Sequence, residues 1–168
     1  MTEEPIAEST TSAPDSAAIR SEIEQVRADY HELLGSLSAD DWKKKSANAA
    51  WSVGQLMWHL GRGVEFFPQA VAFCRKGKAP NPPMWIVNPV NVLITRWGSR
   101  GATPQSVAAK YDEANTALLT CLDTIQADDW GKSVTAYGTH FTIESTFRSA
   151  REHFSEHEAD ILKGLGRL

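Results

Sequence analysis

The chain has 168 residues, 42% of them apolar and 23% charged, with a formal net charge of −4. That length suits one domain with a substantial core and is short for two. Acids outnumber bases and no basic run exceeds Lys43-Lys44-Lys45, so nucleic acid, which needs Lys and Arg gathered on one surface, is not an expected partner.

From Met1 to about Asp15 the chain is rich in Glu, Ser, Thr, Ala and Pro and lacks the basic start and apolar run of a signal peptide. Residues 1–15 are expected to be a disordered tail, and residues 16–168 a single all-α bundle. The first helix is predicted from about Ser16 to Leu37. Ile19, Ile23, Val26, Tyr30, Leu33 and Leu37 recur at spacings of three and four, and Asp15 or Ser16 can cap it. The second runs from about Ser52 to Lys76, with Val53, Leu56, Leu60, Val64, Phe67 and Val71 as its stripe and Gly77 as its stop. Pro68 falls inside this pattern and is expected to kink or split the helix near Phe67.

About 27 residues follow, from Gly77 to Thr103, rich in Pro and Gly. They read as a long crossover loop between parallel neighbours. Their apolar stretch, Pro83 to Trp97, is interrupted by Asn88, Pro89 and Asn91 and is too short to span a bilayer, so a soluble cytoplasmic protein is expected. Thr103-Pro104 is a cap followed by proline at the first helical position. It opens a third helix through Val107, Tyr111, Ala114, Leu118 and Leu122 to about Ile125. Val134 to Thr142 suits a short strand or hairpin. The fourth helix starts near Thr142, and its stripe is Ile143, Phe147, Ala150, Phe154, His157, Ile161 and Leu165. The pattern is two helix hairpins joined by a crossover. A weak repeat agrees with it: Leu37-Ser-Ala-Asp-Asp-Trp42 matches Ile125-Gln-Ala-Asp-Asp-Trp130, each copy at the end of one helix and ahead of the next.

Cys74 and Cys121 lie far apart in different predicted helices, which excludes a disulfide framework or a CxxC site. The histidines say more. His153 and His157 are four apart, on one helical face, and neutral imidazoles so placed can share one ion. Such pairs also occur on solvated faces. His59, between Trp58 and Leu60 in the second helix, is the best third ligand; His31 and His140 read as surface or capping residues. His153-Phe-Ser-Glu156-His157 spells the H-x-x-E-H of inverted zinc proteases, but 11 residues follow His157 and the distant acidic ligand is not expected. Glu156 remains a weak candidate for orienting a ligand or taking a proton.

The Trp-x7-His of Trp51 to His59, followed by a late helical His-x3-His, resembles the DinB/YfiT-like metalloenzyme superfamily over residues 16 to 165. The resemblance implies an up-down-down-up four-helix bundle holding one divalent transition metal (Zn, Ni or Fe) on His59, His153 and His157. It also implies a small-molecule substrate, with a low-molecular-weight thiol such as mycothiol or bacillithiol activated at the metal. The alternatives are a hydrolase using metal-bound water and a non-catalytic metal or ligand binder. Trp58, Trp85 and Trp97 are candidate pocket walls, with the crossover as lid. The sequence leaves homodimerisation open, and no pattern in it marks an interface.

Overall fold

The computed structural model describes residues 14–168, so the predicted tail lies almost wholly outside the described residues. Four long helices carry the core: α1 (Ser16–Ser36), α2 (Val53–Lys76), α4 (Pro104–Asp123) and α5 (Ile143–Gly164). A fifth, α3 (Met84–Gly98), lies in the connection between α2 and α4. A short 3₁₀ turn, Asp41–Lys43, precedes α2, and a hairpin of β1 (Ser133–Ala136) and β2 (Thr139–Thr142) precedes α5.

The starts are chemically determined. Asp15 accepts from the amides of Ala17 and Ala18. Ser52 with Gln55, Thr103 with Ser106 and Thr142 with Ser145 form reciprocal caps, each satisfying amides that a helix start leaves free. Contrary to the expected break at Pro68, α2 is continuous. Proline removes one internal hydrogen bond, but Val64, Phe67, Ala70, Val71 and Cys74 are all buried on either side of it, and that packing carries the helix through.

Side-chain pairs fix the helix directions. Arg20 and Arg27 of α1 meet Asp123 and Asp112 of α4, so those two helices run antiparallel. Glu22 and Asp29 of α1 meet Arg148 and Arg151 of α5, so those run parallel. His59 of α2 meets His153 of α5, and Arg75 at the end of α2 reaches Thr124 at the end of α4. The order is up-down-down-up, with α2 and α1 each packed against both α4 and α5. Tyr30, Tyr111, Leu56, Leu118, Phe147 and Phe154 fill the centre.

The Asp-Asp-Trp repeat marks a pair of reciprocal clamps. Asp41 accepts from the Ser38 amide, from Lys44 and from Arg167, beyond the end of α5. Asp129 accepts from the Gln126 amide, from Lys132 and from Arg75, near the end of α2. Each half of the chain thus supplies the arginine that holds the other half's aspartate. The hairpin has its counterpart too: Ser133 pairs with Thr142 in the second half, and Lys45 bridges Ser52 in the first.

The connection 77–103 is not the loop that its composition suggests. Fifteen of its residues form α3, despite Pro89. Its start is tied to the hairpin, whose Tyr137 (φ 51°) and Gly138 (φ 77°) form a tight turn with both central residues left-handed. The Tyr137 amide donates to Pro80 O, and the Gly138 amide donates to the Asn81 side chain. Its end rests on the indole of Trp58, which lies so close to Gly98 that a Cβ there would sit 2.3 Å from the ring. No helix among the described residues is long and apolar enough to cross a membrane.

Candidate metal centre

Because α2 and α5 run antiparallel in contact, the turn of α2 bearing His59 faces two successive turns of α5 bearing His153 and His157. One nitrogen of each ring falls within 4.8 Å of the others. His59 Nε2 and His153 Nε2 are 3.2 Å apart. Imidazole nitrogens bound at ~2.1 Å to one tetrahedral ion stand roughly 3.4 Å apart, so the donor set fits a zinc-sized ion with little adjustment.

The outer nitrogens support the same reading. His59 Nδ1 is 3.3 Å from Thr95 Oγ1 on α3, and His157 Nδ1 is 3.2 Å from Asp160 Oδ2, one turn on in α5. Metal-binding imidazoles commonly engage an oxygen through the second nitrogen, which fixes the ring and leaves the other free. His153 has room because the residue opposite it is Gly63, one turn after His59: a Cβ there would lie 2.3 Å from the imidazole carbon Cε1. Trp51 is buried against the cluster, its ring 4.5 Å from that of His59 and 6.1 Å from that of His157.

Burial sets the protonation. Desolvation, reinforced by the neighbouring His157, holds His59 down at about 4; desolvation with His59 and His157 nearby holds His153 down at about 3. Both rings are neutral at pH 7, the form that binds metal. The cysteines stay apart. Cys74 Sγ donates to Phe141 O, and burial pushes both the Cys74 and Cys121 thiols up, away from the reactive thiolate.

Of the remaining candidates, His31 pairs with Asp112 Oδ1 at 2.8 Å, and His140 is exposed on β2 opposite Thr135. Glu156 is exposed on α5; the acid bonded to the cluster is Asp160. Trp85 and Trp97 are exposed on α3, so they do not wall an enclosed pocket, and Trp58 packs under Gly98. The wall at the histidines is Trp51 instead. Gly63 and Asp160, at one helical turn from His59 and His157, were within reach of spacing arguments; Thr95 was not, because its helix reads as loop. Two grooves of about 400 Å³ each lie elsewhere, one between α2 and α4 along Trp58, Arg62 and Lys110, the other between the starts of α2 and the end of α3.

An up-down-down-up bundle with three imidazoles gathered from its second and last long helices defines a class of helical proteins built around a histidine cluster suited to a divalent ion. The chain belongs to the DinB superfamily, whose family model matches residues 22–160. Two solved structures share the fold: the mycothiol-dependent maleylpyruvate isomerase, at 15% identity and a TM-score of 0.70, and a point mutant of the same enzyme, at 14% and 0.69. Each comparison covers 88% of this chain and 61% of the other, so the chain spans about three-fifths of the length of the structures it matches. Comparison with curated proteins by sequence gives no match.

Proposed function

We propose that the protein is a metal-dependent enzyme that activates a low-molecular-weight thiol and joins its sulfur to a small electrophile: a C–S bond forms as an epoxide C–O bond opens and its oxygen takes the thiol proton, or as a C–Cl bond breaks and chloride and the proton leave. The carrying observation is the convergence of His59, His153 and His157 within 4.8 Å. These three residues would hold one divalent ion, Zn, Ni or Fe. Bound there, the ion supplies a Lewis acid that favours the deprotonated form of a thiol or water. Thr95 and Asp160 orient His59 and His157, and buried Trp51 excludes water from one side of the cluster.

The sulfur comes from the substrate in this reading. Both cysteines of the chain are protonated at neutral pH and Cys74 is committed to Phe141 O. Among the described residues the group has three members, whereas a closed structural site uses four protein ligands. Asp160, the carboxylate at the cluster, is engaged by His157, which supports thiol chemistry over base-assisted attack by water. The mycothiol dependence of the isomerase with the same fold supports a thiol of that class.

The test is incubation of the zinc-, nickel- or iron-loaded protein with mycothiol, bacillithiol or glutathione and an epoxide or chlorinated aromatic. Thiol loss and thioether formation are followed by mass spectrometry. Turnover that disappears in His153→Ala supports the reading. Absence of turnover with every thiol and metal, in protein shown to carry the ion, contradicts it.

A further inference from the structure

Helix α3 turns most of its apolar residues away from the bundle. Of its 15 residues only Thr95 is buried, while Met84, Trp85, Ile86, Val90, Leu93, Ile94 and Trp97 are exposed. Trp85 is 76% exposed, Trp97 62% and Leu93 57%. Met84 is turned toward Gly138 of the hairpin; the other six, with indoles contributing up to ~250 Å² each, expose roughly 650 Å², above the ~300–600 Å² of the largest apolar patch on an ordinary monomer.

We propose that this face of α3 is the contact surface for a second copy of the chain, making a two-fold homodimer. Ile86, Val90, Leu93 and Trp97 follow one another at spacings of four, three and four. That is the seam by which one helix packs along another, and it faces away from Thr95 and the bundle. That apolar area, with the polar rim that interfaces carry around it, suits the ~800 Å² per partner of a standard interface. A two-fold contact sets one patch against itself and so must be self-complementary. The stripe meets that condition, because the sole charged residue of α3 is Arg96. Arg96 itself donates to Ala50 O, and Arg100 is held over the Trp97 ring at 4.3 Å.

A membrane surface fits less well. Helices that lie on bilayers carry Lys and Arg along the polar face, whereas α3 has Asn88, Asn91 and Thr95 there and the chain is net acidic. The helix is also firmly mounted, by the hairpin at its start, Thr95 on His59 in its second half and Gly98 on Trp58 at its end. These ties keep the stripe turned outward, which lowers the ordering cost of association.

The experiment is analytical ultracentrifugation of the full chain from about 1 µM to about 100 µM, bracketing ordinary dimer affinities. Wild type is expected at twice the 18.5 kDa chain mass. Leu93→Glu and Val90→Glu, both at exposed positions, are expected at the single-chain mass with unchanged circular dichroism and melting temperature. Wild type that stays monomeric at the highest concentration overturns the proposal. So does a dimer that persists in both folded glutamate variants, or a monomer that instead co-sediments with phosphatidylcholine–phosphatidylglycerol vesicles.

Discussion

Gly63 and the His153 imidazole occupy space that a single methyl group would contest. In an ordinary exposed helix, Gly→Ala stabilises by about 1 kcal/mol. Gly63→Ala is predicted to do the reverse where it matters: the ring shifts and metal affinity, read by competition with a chelating dye, falls roughly 10- to 100-fold, the range seen when supporting contacts are lost. Thr95→Val, which keeps the shape and deletes the hydroxyl facing His59, is predicted to weaken metal binding in the same range. Unchanged affinity in both variants would show that neither contact positions a ligand.

The same rings tie stability to pH. His59 and His153 titrate near 4 and 3 in the folded metal-free protein, against about 6.5 for histidine in an unfolded chain. Between those values the unfolded chain binds more protons, so the free energy of unfolding falls as pH drops from about 6.5 toward 4. The loss amounts to about 3 kcal/mol for His59 alone. Urea titrations of the apo-protein across that window check it. His59→Gln flattens the slope; an equal slope in wild type and variant would contradict the assignment.

At the scale of elements, the reciprocal clamps are the testable feature. Asp41 and Asp129 are buried, and the cations and amides around them hold both carboxyls below the usual carboxylate range. Removing one partner strands a charge that has little water around it. Arg75→Ala and Arg167→Ala are therefore predicted to lower the melting temperature by similar amounts, of several degrees each. One harmless variant beside one damaging variant would deny the equivalence of the halves.

These elements also show where sequence is a good guide. The four core helices were legible because each carries a buried stripe at helical spacing and a capping residue at its start; His153 and His157 were legible because they sit one turn apart on one helix, and His59 because it lies inside the second helix, eight residues after Trp51. Helix α3 was not legible. Its interior holds Pro89 and the prolines before it signal loop, and these outweigh the four-three-four spacing of Ile86, Val90, Leu93 and Trp97, whose side chains point outward and join no core. Thr95 was lost with it, since a contact to His59 from 36 positions away has no local signature.

For the whole molecule, one arrangement organises the rest. The up-down-down-up order places α2 against α5, and that contact sets the three imidazoles face to face in a water-poor interior. The most direct measurement is metal content, by plasma mass spectrometry, of protein purified without tags and equilibrated with Zn, Ni and Fe in turn. The expected result is one tightly held ion per chain in wild type, lost in His59→Ala, His153→Ala and His157→Ala, all still helical by circular dichroism. Wild type that takes up none of these metals, or histidine variants that keep the same stoichiometry, would contradict the assignment of this cluster as a metal centre.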